Sequence, residues 1–451
     1  MTIGELAAAM GAATIGVDAD ASFDGFCLDH REARPGAVFL AIRGKKVDGH
    51  DFVGEAIHAG CVAAVVERQV HGPHLLVSSL VDALAGYASG IREGFAGPVI
   101  GVTGSVGKTT TKELLAAAMS PLGPVLANPG SRNTEYTLPL LWHELRPEHR
   151  SVVAEMGMRG FGQIAHLASF SRPTIGVVTN VGVAHAELVG GPAGVPVAKG
   201  ELLRALPASG VAVIPADVAY REILLQEVIA PLVTFGYRQG DAALEDYEPR
   251  TWTSSTAWIR VAGRRHEVSL PFLGQSLAVN AAAALLAAHV AGVDVDEAAQ
   301  ALGQARMPPN RMEVREIRGA TVVLDAYNAG PPSVAAALEA VASMPRSGRL
   351  WVVMGDMREL GDLAEEAHRK AGTQIADLNP DFAVFIGEYA EVYQGAAVSA
   401  GLSIDRVLLA ENRSQLVDML RGMEQGDVLL VKASRALELE RVVDELTEEE
   451  P

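Results

Sequence analysis

The run PVIGVTGSVGKTTTKELLAAAM (98–119) constrains this chain more than any other stretch. A β-branched segment leads into Thr103, Gly104, Ser105, Val106, Gly107, Lys108, Thr109 and Thr110, and helix-forming residues follow. Strand, glycine-bearing loop and helix in that order are what a phosphate-binding loop requires. Without a Cβ at Gly104 and Gly107, the backbone can come close to phosphate oxygens. Successive N–H groups and the helix start then turn positive potential toward the anion. Lys108 supplies a point charge for the outer phosphates, and the Thr109 hydroxyl is a ligand for Mg²⁺. Val102 stands where the usual motif has its first glycine. The plain alternative is a glycine-rich turn with a solvated lysine, and the flanking strand and helix weigh against it.

Composition bounds the rest. At roughly 150 residues per domain, 451 residues suggest about three domains. Apolar residues make up 49% and charged residues 20%, the balance of an ordered globular chain. The net charge, 37 − 55 = −18, argues against a nonspecific partner in nucleic acid or anionic membrane. It leaves small anions open, because one loop can override the global charge. Cys27 and Cys61 alone exclude a disulfide framework and a cysteine-based zinc site. The start, MTIGELAAAMG, lacks a basic leader and carries Glu5. The most apolar stretch, 277–293, is alanine-rich, contains Asn280 and His289, and is short for a membrane span. The chain therefore reads as soluble and cytoplasmic, with no membrane insertion.

Short β-branched runs alternate with Ala/Leu-rich helical runs along most of the chain. AVFLAI (37–42), AAVVE (63–67), HLLVSS (74–79), PVIGVTG (98–104), SVVAEMG (151–157), TIGVVTN (174–180) and VAVIPA (211–216) read as strands. TVVLDAY (321–327), LWVVMGD (350–356), FAVFIG (382–387) and DVLLVKAS (427–434) read the same way. Strands buried on both faces and separated by helices imply parallel α/β sheets. Within 236–272, TWTSSTAWIRVAGRRHEVSL alternates like an antiparallel ribbon at the edge of the middle domain. Breaks at GFAGP (94–98) and RMPPNR (306–311) divide the chain into 1–96, 97–311 and 312–451. The predicted fold class is α/β with three domains, the central one a parallel-sheet P-loop domain.

The loop T-G-x-x-G-K-T-T in a chain of this length resembles the Mur ligases, a family that makes ATP-dependent amide bonds in peptidoglycan synthesis. CLDHREARPGAVFLAIRGKKVDGHDFVGEAIHAG (27–60) resembles that family's UDP-sugar-binding N-terminal domain. AEMGMRGFGQI (154–164) is similar to the signature of the member that adds D-alanyl-D-alanine. TNVGVAHAELVGGPAGVPVAKGELL (179–203) resembles T-N-x-G-x-A-H-L-E followed by A-K-G-E. DAYNAGPPSV (325–334), MGDMRELGDLAEEAH (354–368) and VKASRALELE (431–440) resemble motifs of the C-terminal domain of that same member, a Rossmann-like domain that closes on ATP and binds the incoming dipeptide. The matches span all three predicted domains in the family's order.

Amide synthesis in water is uphill, so the carboxylate must be activated, and phosphoryl transfer between anions demands cations and positioning. Glu155 ends a predicted strand, where ligand sites of open α/β sheets lie. His185, five residues past Asn180, follows another strand end. Beside oxygen ligands such as Glu155 and Thr109, neutral imidazole is a plausible donor to one or two Mg²⁺ ions. Asn180 is placed to orient His185 or the substrate. The resemblance implies that Lys199, in AKGELL, is carbamylated and acts as a fourth metal ligand. Carbamylation requires the neutral amine and hence a lowered pKa. The same resemblance implies ATP contacts at Asn280 (adenine), Arg311 (phosphate) and Asp325 (ribose). Ser276 and Leu277 stand where the family has His and Asn.

For the UDP-sugar the resemblance points to Asp29, Arg31, Lys46, Asp48, Gly49 and His50, with His30 replacing a serine, and to Asn133 and Glu135 around the muramoyl part. Arg132 and Thr134 depart from the family's loop there. For the dipeptide it points to Tyr327, Asn328, Lys432, Ser434 and Arg435, with Ala326, Gly330 and Ala433 as departures. The implied reaction joins D-alanyl-D-alanine to UDP-N-acetylmuramoyl-tripeptide through an acyl phosphate, catalysed by Lys108, Glu155, His185 and Lys199 in a monomer. Two alternatives stay open: a family member that adds a diamino acid, whose D-N-P-R signature is absent, and a P-loop protein that binds nucleotide without turnover.

Overall fold

The computed structural model describes residues 1–182 and 186–448. His185 lies outside the described residues. The chain divides into two compact units.

The first unit comprises Met1–Gly101, Pro124–Met158 and Gly162–Thr174. Its strands are β1 (Ala13–Ile15), β2 (Phe26–Cys27), β3 (Val38–Leu40), β4 (Ala63–Val66), β5 (His74–Leu76), the first part of β6 (Val99–Thr103), β7 (Val125–Ala127) and β8 (Ser151–Glu155). One sheet runs β1-β5-β4-β3-β2, with β1 antiparallel and the other pairs parallel. Alternate residues serve opposite faces. Val38, Leu40, Ala63 and Val65 pack on one side, while Phe39, Ala64 and Val66 pack on the other. Both faces are covered, which is why these strands read as unbroken apolar runs. Beyond β6, the order continues β8-β7, and the Val152 N–H donates to the Pro98 carbonyl at 3.0 Å.

The second unit comprises Val102–Gly123, Arg159–Phe161 and everything from Ile175 onward. The end of β6 enters it and is followed by β9 (Ile175–Val178), β10 (Val211–Pro215), β11 (Leu232–Tyr237), β12 (Ala242–Thr251), β13 (Ser254–Val261) and β14 (Arg264–Leu270). β9 through β12 pair in parallel, and β12, β13 and β14 form an antiparallel ribbon at the sheet edge. The expected ribbon is present. Its exposed and buried residues alternate along β14, as a one-sided sheet demands.

The remaining strands are β15 (Glu313–Ile317), β16 (Ala320–Asp325), β17 (Leu350–Met354), β18 (Phe382–Ile386), β19 (Val407–Ala410) and β20 (Val428–Lys432). They order as β15-β16-β20-β17-β18-β19, all parallel except the β15 edge. The sheets are thus mixed and not purely parallel. Every strand named from the sequence is present. Among the strands that sequence reading passed over, β1, β2, β7 and β19 are short and EVREI of β15 is a charged edge strand without an apolar run, whereas LVTFGY of β11 is a six-residue strand inside its sheet, directly after Pro231.

Two helices position the phosphate loop. Lys108–Met119 starts directly from Gly107. The alanine-rich helix Gln275–Val290, buried on nearly all sides, packs against it. A helix apolar all round is a core element, and small alanines let the two axes approach. Among the described residues no helix is long and apolar enough to cross a membrane.

Candidate functional site

The phosphate loop is built from the ends of β6 and β9. Gly104 has φ 157°, and a Cβ there would lie 1.9 Å from the Thr179 hydroxyl oxygen. Gly107 has φ 82°, in the left-handed region, and a Cβ there would lie 3.0 Å from Asn280 Nδ2. Both glycines are therefore required by backbone angle and by close approach. The Ser105 and Val106 N–H groups both donate to Asn180 Oδ1 at 2.9 Å. The Thr179 hydroxyl donates to the Val106 carbonyl at 2.6 Å, and the Gly182 N–H to Ser105 Oγ at 2.9 Å. The T-N-x-G segment after β9 thus braces the loop from below. Sequence reading gave Asn180 another task; the amide-to-loop bonds had no local signal.

The Lys108 ammonium donates to the Gly104 carbonyl at 2.8 Å, folding back over the loop. The Thr109 hydroxyl accepts from Arg311 Nη2 at 3.0 Å. The Arg311 guanidinium lies 4.0 Å from the centre of the Tyr327 ring. Asp325, at the end of β16, accepts from the Met312 N–H on one oxygen at 3.3 Å and pairs with Lys432 through the other at 2.7 Å. The structure therefore brings Thr109 together with Arg311 and Gly107 with Asn280.

Lys199 is fully buried on the helix Gly194–Arg204. Burial, reinforced by the Lys108 ammonium, holds its pKa well below the ordinary 10.5. A neutral amine is what reaction with CO₂ needs.

Glu155 closes β8 and is buried. Its N–H donates to Asn128 Oδ1 at 2.8 Å, and its Oε1 accepts from Asn133 Nδ2 at 2.6 Å. Its Oε2 is buried with no hydrogen-bond partner. A buried carboxylate oxygen without a donor suits a cation. Asn133, expected near the muramoyl part, thus orients this carboxylate, and its carbonyl accepts from the Gly157 N–H at 3.0 Å. Asn128 was missed, because it sits in a turn-like run, NPGSRN, that signals only a loop. Glu135 is half-buried two residues beyond Asn133. Among the described residues no three of His, Cys, Asp and Glu gather as a metal site. The expected ligand set instead draws on a hydroxyl and a modified lysine.

In the first unit Asp29 grips Arg31 in a fork, Oδ1 to Nε at 2.9 Å and Oδ2 to Nη2 at 2.5 Å. That hydrogen bond, with the Arg31 N–H, holds the Asp29 carboxyl well below the usual carboxylate range. Asp48 is lowered to about 2 by the His50 backbone N–H and then by the His50 ring. His50 is buried, with Nδ1 2.6 Å from Asp48 and Nε2 accepting from the Glu67 N–H at 2.9 Å. A Cβ on Gly49 would meet the Ile42 backbone at 2.7 Å. Asp48, Gly49 and His50 therefore shape the loop, while Lys46 and Arg31 are exposed.

At the C-terminal strand ends, Lys432 is buried. Beyond its pair with Asp325 it donates to the Asn328 carbonyl at 2.9 Å. Its ammonium, expected at the dipeptide, is engaged inside the fold. Ser434 is also buried and accepts from the Arg358 N–H at 3.0 Å. Arg435 is exposed and pairs with Glu440 at 3.0 Å. Asp356 and Arg358 were not singled out from the sequence. Buried Asp356 accepts from the Glu388 and Tyr389 N–H groups, each at 3.1 Å, and from Arg358 Nη2 at 2.9 Å.

A braced P-loop and a buried lysine of lowered pKa, both in the second unit, are the equipment of an α/β phosphate-binding protein. Family models match 24–90 as the Mur ligase family catalytic domain, 102–288 as the Mur ligase middle domain and 310–435 as the Mur ligase glutamate ligase domain. The chain belongs to the Mur ligase family. It is 34% identical to the UDP-N-acetylmuramoyl-tripeptide–D-alanyl-D-alanine ligase of Synechocystis sp., over 96% of this chain and 94% of that protein. Its structure is similar to MurF from Acinetobacter baumannii, with TM-score 0.88, 28% identity and 99% of each chain covered. MurF of Thermotoga maritima in complex with ADP is similar with TM-score 0.81 and 32% identity, covering 95% of this chain and 98% of that one.

Proposed function

We propose that this chain joins D-alanyl-D-alanine to UDP-N-acetylmuramoyl-tripeptide with ATP, giving UDP-muramoyl-pentapeptide, ADP and phosphate. The end-to-end likeness to ligases of that name carries the reading. The three catalytic parts correspond to 1–96 for the UDP-sugar, 97–311 for ATP and 312–451 for closure on the nucleotide and the dipeptide. The protein works as a monomer in the cytoplasm, where its small nucleotide substrates are.

The tripeptide carboxylate attacks the outer phosphorus of ATP, and ADP leaves. The dipeptide amine then adds to the acyl-phosphate carbon, loses a proton, and phosphate departs with one former carboxylate oxygen. The 103–110 loop, braced by Asn180, cradles the phosphates, and Lys108 with Arg311 stabilises the charge that moves to ADP. Asn280 and Asp325 face adenosine. Thr109, Glu155, His185 and Lys199 are the proposed ligands of Mg²⁺, which supplies charge neutralisation when bound. Lys199 takes this part as its carbamate: the neutral amine forms an N–C bond to CO₂ and loses a proton, so a cation becomes an anion. Asp29 and Arg31, with Lys46 on the loop shaped by Asp48, Gly49 and His50, hold the UDP-sugar. Asn133 and Glu135 sit near the muramoyl part. Arg435 and Asn328 meet the dipeptide, with Lys432 and Ser434 fixing the strand end beneath them.

Mass spectrometry of the product tests the assignment. D-Alanyl-D-alanine must yield the pentapeptide adduct, while meso-diaminopimelate or lysine yields none. Incorporation of either diamino acid in place of the dipeptide would overturn it.

A further inference from the structure

The linker around Arg311 is held in a shape it would not adopt unaided. Asn310 and Met312, on either side of Arg311, both have left-handed backbone angles, φ 58° and 51°. Such angles in non-glycine residues cost on the order of 1 kcal/mol or more each and persist only where neighbours impose them. The neighbours here are the residues at the end of β16. The Tyr327 N–H donates to the Asn310 carbonyl at 3.0 Å, and Asp325 Oδ1 accepts from the Met312 N–H at 3.3 Å. Between these two bonds the Arg311 guanidinium carbon sits over the Tyr327 ring, 4.0 Å from its centre, with Nη2 on the Thr109 hydroxyl. The ring's other charged neighbour, Arg435, is farther away at 5.8 Å.

We propose that Tyr327 is a positioning residue for the nucleotide and not a dipeptide ligand: its ring face seats the Arg311 guanidinium at the hydroxyl end of the phosphate loop. The proposal rests on the ATP-dependent reading above. A guanidinium loses entropy when fixed, and a π face beneath it lowers that cost while leaving its edge donors free for oxygen. The contact with Arg311 is made by the ring face, which a phenylalanine also presents.

Calorimetry with Mg²⁺ and β,γ-methylene-ATP tests it on the full chain. Tyr327→Ala is expected to weaken nucleotide binding roughly fivefold to tenfold, the range of a partly desolvated cation–π contact. Tyr327→Phe should bind within about twofold of wild type. Tyr327→Ala added to Arg311→Ala should cause no further loss, because the ring acts only through that guanidinium. The KM for D-alanyl-D-alanine should stay unchanged in Tyr327→Phe. Should Tyr327→Ala fail to fold, Tyr327→Leu keeps the bulk without the π face and must show the same weakening. Unchanged nucleotide affinity in the folded Ala or Leu variant, additive loss in the double variant, or a raised dipeptide KM in Tyr327→Phe would each overturn the proposal. Wild-type protein that binds no nucleotide would instead sink the ligase reading itself.

Discussion

Lys199 shows how burial sets chemistry at a single residue. Its folded pKa lies below 10.5, the value it regains on unfolding. Between those two values the unfolded chain holds the proton and the folded chain does not. Stability therefore rises with pH across that window, and the burial cost is largest at its acid end. In CO₂-depleted buffer, Lys199→Met should melt at a higher temperature than wild type near neutral pH and lose that rise. Thermal melts at several pH values check this; parallel curves for the two proteins would refute it. Adding labelled bicarbonate should give wild type a carbamate carbon signal in NMR that Lys199→Met lacks. Glu155 supplies a second test. Glu155→Gln keeps an acceptor for Asn133 and removes a buried charge, so it should fold at least as stably as wild type. Its turnover should fall by roughly a hundredfold or more, as for loss of a group that stabilises transferring charge. Retained turnover would remove Glu155 from the reaction.

The site's parts were unequally legible. Lys108 and Thr109 follow from local spacing, since strand, loop and helix are contiguous. Asn128, Asn180 and Asp356 did not, because each acts on backbone amides distant in sequence. Lys432 looked like a free cation until its pairing with Asp325, on the neighbouring strand β16, was visible.

At the scale of elements, the phosphate loop is a joint between two strand ends. A methyl at Gly104 would collide with the Thr179 hydroxyl and displace its bond to Val106. Gly104→Ala should cost about 1–3 kcal/mol in denaturant unfolding and abolish nucleotide binding. Asn180→Ala strips the acceptor from two amides and should cost about 2 kcal/mol. If Asn180→Ala left both stability and nucleotide affinity unchanged, the brace would be incidental. The β12–β14 ribbon was legible because one face is exposed and its pattern alternates. β15 was not, because pairing with β16 and not its own apolarity makes EVREI a strand.

At the scale of the molecule, family resemblance in the sequence reached all three sheets because each carries its own motif. The two-step chemistry makes a claim about atoms. If the tripeptide's terminal carboxylate is activated as an acyl phosphate, one of its oxygens must leave with inorganic phosphate. The decisive measurement uses UDP-N-acetylmuramoyl-tripeptide with heavy oxygen in that carboxylate, together with ATP, Mg²⁺ and D-alanyl-D-alanine, and weighs the released phosphate. One heavy oxygen per phosphate formed is the predicted result. Phosphate carrying none, alongside normal formation of the pentapeptide, would contradict the account.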